Sequence, residues 1–327
     1  MPNFFRLLII LIITSSCKKT DRSYTYDNID FKEEMRQFVI SISDYAKSIN
    51  SGFEIVTQNG AALITENAQP NGAVHTQYIR AIDGQAQEGL FFGYEFDNEP
   101  TPVNITMELK QYLDKAKAQG KQILVTDYCY SPEHIQRAKD SVQTNHYLGF
   151  VATRRELNII PPVNISNENN ENINHLSDAK NFLYLINYNR FPNKELLLQS
   201  LENTNYDILI LDLFYQNNIT FTPNDINRLK IKANGGSRLV ISYLSIGEAE
   251  SYRYYWQNQW NTDRPIWLDE ENPEWPGNYK VRYWEPDWQN IIYGNNQSYL
   301  KKIIDAGFDG AYLDIIDAYE YFEEKNN

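Results

Sequence analysis

From Phe31 to the end of the chain, short apolar runs alternate with stretches of helical periodicity, and no other feature narrows the fold so far. FKEEMRQFVISISDYAKSI puts Phe31, Met35, Phe38, Val39, Ile42 and Tyr45 on one helical face, and FEIVTQNG follows as a buried strand. Further strands are predicted in YIRAIDGQAQE, QILVTDYCY, NFLYLINYN, YDILILDLF, RLVISYLSIGE, YKVRYW and GAYLDII, with LGFVATR as an extra candidate. Most follow a helical stretch such as MELKQYLDKAKAQGK or PNDINRLKIKANGG. Eight strands alternating with helices in one block predict a parallel sheet closed into an α/β (β/α)8 TIM barrel. An open doubly wound sheet is the rival. It usually carries a glycine-rich phosphate loop after its first strand, and neither GxGxxG nor GxxxxGK[ST] occurs here. With 327 residues and 42% hydrophobic content, the chain has enough apolar material for one such core.

The first residues read differently. MPNFFRLLIILIITSSC has Arg6, an apolar run from Leu7 to Ile13, and the small residues Thr14, Ser15 and Ser16 before Cys17, the layout of an export signal. The run is shorter than the roughly 20 residues a permanent span needs. ITSSC resembles the lipobox of bacterial lipoproteins, which would remove residues 1–16 and leave Cys17 as a lipidated terminus at the cell envelope, periplasmic or surface-facing. Residues 17–30 would then be a polar tether to the membrane, and 31–327 the barrel. PPVNISNENNENINHLSDAK, residues 161–180, lacks an apolar period and reads as a surface linker between two halves.

In a closed barrel the last residues of each strand ring one mouth. Here these are Asn59, Glu88, Asp127, Tyr128, Tyr188, Asp212, Tyr243, Glu248, Glu250, Arg253, Trp284, Asp314 and Asp317. Carboxylates facing one cavity raise one another's pKa, so one stays protonated as a donor while another acts as nucleophile or base. Glycoside hydrolysis needs that pairing. The net charge of −13, from 43 acidic and 30 basic residues, argues against a nucleic-acid partner and favours a neutral or cationic ligand. Aromatic residues, 24 Tyr and 6 Trp among them, offer ring faces to sugars. WLDEENPEWPGNYKVRYWEPDW is either a carbohydrate-stacking wall beside the mouth or a loop folded on its own rings. The 4 His are scattered without metal-ligand spacing, and Cys129 reads as a buried small side chain, so neither a metal nor a cofactor is expected.

YDILILDLF, RLVISYLSIGEAESYRYYW, GNYKVRYWEPDW, GFDGAYLDIIDAYEYF, IVTQNG and ILVTDY resemble the barrel strands of glycoside hydrolase family 114, the endo-α-1,4-polygalactosaminidase-like proteins. The likeness is strongest to an extracellular prokaryotic subgroup formerly described as related to cysteinyl-tRNA synthetase. In that family the strand like FLYLINYN comes first and the one like GAYLDIID fifth, and those like TQNG, the acid-bearing strand and VTDY come last. Here the last three come first. The resemblance therefore implies a circular permutant cut after the fifth strand, with PPVNISNENNENIN joining the family's two termini. It also implies Asp314 as nucleophile and Glu88 as acid/base. The chain departs from the family at Asp314-Ile315, usually Asp-Asn, and at Glu88-Gly89-Leu90, usually Glu-Gln-Cys. The implied activity is hydrolysis of a polysaccharide containing an amino sugar such as galactosamine. The alternative is a carbohydrate-binding lipoprotein that keeps the barrel without turnover.

Overall fold

In the computed structural model, residues 26–326 are described, apart from Asp27, Val163, Asn217 and Asn218. The export signal and Cys17 lie outside the described residues. The chain runs α1 (Phe31–Ile49), β1 (Glu54–Gln58), α2 (Thr76–Ala81), β2 (Gly84–Glu88), α3 (Val103–Ala118), β3 (Gln122–Tyr128), α4 (Pro132–Asn145), β4 (Leu148–Ala152) and β5 (Phe182–Leu185). It continues α5 (Lys194–Glu202), β6 (Ile208–Asp212), α6 (Pro223–Leu229), β7 (Leu239–Ser245), β8 (Glu248–Glu250), β9 (Leu268–Glu271), β10 (Asn278–Val281), α7 (Pro286–Ile292), α8 (Tyr299–Asp305), β11 (Gly310–Asp314) and α9 (Tyr319–Asn326).

Eight parallel strands form the barrel in the order β4-β3-β2-β1-β11-β7-β6-β5. The end strands β4 and β5 lie side by side without a ladder. The Phe150 and Phe182 rings meet across this seam at 5.7 Å, so the barrel is nearly closed. Strand runs such as Ile208–Asp212 and Leu239–Ser245 are buried throughout, because helices cover them outside and side chains fill the barrel inside. Helix α1 starts where Asp30 accepts the Glu33 N–H at 2.9 Å, and it buries Phe31, Met35, Phe38, Val39 and Ile42.

Three expectations change. YKVRYW is not a barrel strand: β10 pairs antiparallel with β8 and β9 in a small sheet beside the mouth, and its half-exposed pattern suits a two-sided environment. LGFVA takes the eighth place in the barrel as β4. There Gly149 lets α4 approach, since a Cβ on it would lie 2.7 Å from Val142 Cγ1. The front of YIRAIDGQAQE is α2, started by His75, whose Nδ1 accepts the Tyr78 N–H at 3.2 Å.

Residues 161–180 cross beneath the N-terminal strand ends. Ile173 and Leu176 are buried there, and the Leu176 N–H donates to Glu54 Oε1 at 3.0 Å. Asn169 Nδ2 and the Lys180 N–H both donate to Asp207, at 3.0 and 2.8 Å to its Oδ2, so the segment is bonded into the barrel floor. Among the described residues, no helix is long and apolar enough to cross a membrane.

Candidate active site

At the C-terminal ends of the strands lies a cavity of about 690 Å³. Asp314, the last residue of β11, reaches it because the chain turns sharply at Ile315, which has φ +60°. A β-branched side chain rarely adopts that left-handed conformation, and holding one there costs about 1–3 kcal/mol. Asn tolerates it better. Gly247 accommodates the turn: a Cβ on it would sit 2.2 Å from the Ile315 carbonyl oxygen. That requirement gives the glycine of YLSIGE its physical reason. The same turn brings Asp317 to the cavity wall.

Glu88 enters from the end of β2. Asn59 Oδ1 accepts its N–H at 3.1 Å, and the Tyr128 hydroxyl donates to Glu88 Oε1. The guanidinium of Arg155 stacks 4.0 Å above the Tyr128 ring and is itself held by Asp97 and the Gly93 carbonyl. Burial pushes the Glu88 carboxyl up, opposed by the Tyr128 hydroxyl and then the Arg155 charge. Burial also pushes Asp314 well above the usual carboxylate range. Repulsion from Glu88 and Asp317 adds to it, against the Ile315 N–H and the Tyr243 hydroxyl. Two buried carboxyls that feel each other titrate as a pair, the second proton held after the first has left. One donor and one carboxylate in one cavity is the state that glycoside cleavage requires.

On the opposite wall Arg253 binds Asp212 through two hydrogen bonds, at 2.9 and 2.6 Å, and its Nε donates to Glu250 Oε2 at 2.5 Å. Its guanidinium is packed against Phe214, Tyr252 and Tyr299. Asp212 and Glu250 therefore serve as its counter-charges, and Glu248 similarly pairs with Lys280 at 2.6 Å. The Tyr188 hydroxyl donates to the Asp212 carbonyl at 2.9 Å. Thus the cavity gathers Asn59, Glu88, Tyr128, Tyr188, Asp212, Tyr243, Glu248, Glu250, Arg253, Asp314 and Asp317.

Two expected mouth residues lie elsewhere. Asp127 precedes Tyr128 on β3, so when Tyr128 faces the cavity Asp127 faces away, and its Oδ1 accepts the Phe91 and Phe92 N–H groups at 2.9 and 3.1 Å. Trp284 follows β10, not a barrel strand, and packs against Phe31 and Phe322 at ring distances of 5.2 and 4.8 Å. The tryptophan on the cavity wall is Trp275. Arg155 and Tyr184 also line the cavity without having been singled out in the sequence; the strand-like LGFVATR just before Arg155 was the available signal.

Asp127 makes a stability prediction. Burial raises its pKa from 3.8 to about 7, and its Oδ2 is buried without a partner. Between those values the unfolded chain has released the proton and the folded chain keeps it, so stability falls as pH rises through the window. Asp127→Asn keeps the acceptor for Phe91 and Phe92 and removes the ionisation. Thermal melts across the window should show a slope reduced by up to about 1.4 kcal/mol per pH unit; parallel curves for variant and parent would refute it.

Residues 198–327 match glycoside-hydrolase family GH114. Eight parallel strands give the chain the fold of a TIM barrel, and the match makes its C-terminal part similar to that family. The matched stretch carries Asp212, Glu250, Arg253 and Asp314. An uncharacterized protein of Methanocaldococcus jannaschii is 40% identical over 158 residues, which are 48% of this chain and 43% of that one. An uncharacterized protein of Thermotoga maritima is 45% identical over 105 residues, 32% of this chain and 30% of its own. One of Deinococcus radiodurans is 39% identical over 128 residues, 39% of each chain. The chain thus spans less than half the length of these relatives.

Proposed function

We propose that this protein is an exported glycosidase that cuts a polysaccharide containing amino-sugar units such as galactosamine, with Asp314 and Glu88 as its carboxylate pair. The observation that carries the proposal is the convergence of two carboxyls from β11 and β2, distant in sequence, on one cavity. Asp314 attacks or stabilises the anomeric carbon, and Glu88 protonates the departing oxygen. Carboxylates around the cavity concentrate a cationic polymer there, and Tyr184, Tyr243 and Trp275 offer ring faces to sugars. Residues 1–17 support export and a lipid anchor at Cys17.

We further propose that the chain is a circular permutant, because the order of its family-like motifs along the sequence differs from that of the resembled family. The seam without a ladder falls between β4 and β5, the strands that residues 161–180 join. The family match covers residues 198–327 and leaves β1 to β5 outside it.

Purified protein incubated with galactosamine-containing and neutral polysaccharides should release oligosaccharides from the former; absence of product from every polymer would refute the assignment. Tyr128→Phe makes a sharper test of the pair. Loss of the hydroxyl that stabilises the Glu88 carboxylate lets Glu88 hold its proton to higher pH. The alkaline limb of the kcat/KM profile should therefore move upward, with a rate loss of about tenfold. A profile superimposable on the parent's would remove Tyr128 from the mechanism.

A further inference from the structure

A second lobe of about 430 Å³ opens beside the cavity, and Asn59, Glu88, Arg155 and Asp317 line both, whereas Asp314 lines only the first. Its walls come from the loop after β2, from α3 and from the start of α9. Tyr94, 48% exposed, presents its ring there, while Asp317 and Glu320 supply carboxyl groups. Lys32, a cation on this wall, is already paired with Glu323. Gln87 is only 5% exposed, lines this lobe, and has an Oε1 with no hydrogen-bond partner. A buried amide oxygen without a partner, beside open space and a free ring face, fits a ligand rich in hydroxyl or ammonium donors.

We propose that the second lobe is the subsite for the departing part of the glycan. This rests on the hydrolase assignment above. The group acting on the anomeric carbon, Asp314, lines the first lobe alone, and the proton donor, Glu88, lines both. The glycosidic oxygen must lie beside Glu88, so the unit that keeps the anomeric carbon occupies the first lobe and the unit that keeps the oxygen occupies the second. In the step, the bond from the anomeric carbon to the bridging oxygen breaks with its electron pair on oxygen, and Glu88 gives that oxygen its proton. The Asp314 carboxylate takes the bond at the anomeric carbon; water, giving its proton to Glu88, then attaches its hydroxyl there as the bond to Asp314 breaks and Asp314 is freed as carboxylate, so hydrolysis balances. A neutral or amine-bearing sugar suits the lobe, its ring against Tyr94 and its donors toward Glu320 and Gln87 Oε1. A uronic acid would face like charge from Asp317 and Glu320.

The test compares an oligogalactosamine with a nitrophenyl galactosaminide, whose small departing group need not fill the lobe, in the parent, Tyr94→Ala and Glu320→Gln. Thermal melts verify folding. On the oligomer, kcat/KM should fall about tenfold in each variant, while the aryl glycoside loses no more than about twofold. Equal losses on both substrates, or none on the oligomer, overturn the subsite and leave the hydrolase assignment standing. If the parent cleaves neither probe, calorimetric titration with the oligogalactosamine decides the lobe, and the hydrolase assignment fails only if none of the galactosamine-containing and neutral polysaccharides is cut either. Weaker binding by Tyr94→Ala supports a glycan site, and identical binding overturns it.

Discussion

Asp314→Asn is expected to abolish glycoside cleavage while leaving the barrel folded. The two side chains have nearly the same shape, and the amide oxygen can still accept the Ile315 N–H that now serves the carboxylate. What disappears is the negative charge that would attack or stabilise the anomeric carbon. Removing one member of a catalytic set of this kind costs on the order of 10⁴-fold in kcat. Stability should move the other way. Burial, Glu88 and Asp317 all press Asp314 to keep its proton. Ionising it therefore costs the fold, and stability from this group falls as pH rises above the ordinary carboxylate range. The asparagine variant is free of that cost, so it should melt at the parent's temperature or above it, the gain growing with pH. Reducing-end release from a galactosamine polymer, together with circular dichroism melts, reads both effects. An active, well-folded asparagine variant would sink the assignment of Asp314.

That a barrel and an acidic mouth were readable in the sequence has a local cause. Strands β6, β7 and β11 are short, mainly apolar runs buried on both faces, and they end in polar residues because the mouth is where the core stops. The errors came from choices that only long-range pairing makes. LGFVA and YKVRYW look equally strand-like over a few residues, but one pairs with β3 in the barrel and the other with β8 and β9 in the small sheet. Asp127 and Tyr128 are neighbours, and which of them faces inward is the phase of a period of two, set by the register of β3 with β2 and β4. Arg155 matters because its guanidinium lands on the ring that bonds Glu88, a contact between residues 27 apart that leaves no local pattern. The left-handed turn at Ile315 had a trace only in its glycine partner, Gly247.

The segment 161–180 shows the same limit at the opposite pole, and Lys232→Met is the variant that exposes it. Lys232 and Asp207 form an ion pair at 2.9 Å with both side chains at 0% exposure. Lys232 Nζ also donates to the Asn169 carbonyl and Oδ1, at 3.1 and 3.2 Å, so one ammonium ties the segment to the floor of β6. Methionine fills similar volume and supplies no charge. Asp207 would keep the Asn169, Asn181 and Lys180 donors but would be a buried anion without its cation. Breaking one side of such a pair costs about 3–5 kcal/mol, most of it from the charge left behind. For a chain of this size that is a fall in Tm of roughly 10 °C. Adding Asp207→Asn to Lys232→Met removes the stranded charge and should recover part of the loss, which a simple packing defect would not allow. Protease cleavage within the asparagine-rich segment should speed up in the single variant. The mouth is at the other end of the barrel, so kcat measured below the new melting temperature should stay near the parent's. A single variant that melts with the parent would mean that the floor is held by its amide hydrogen bonds and not by this pair.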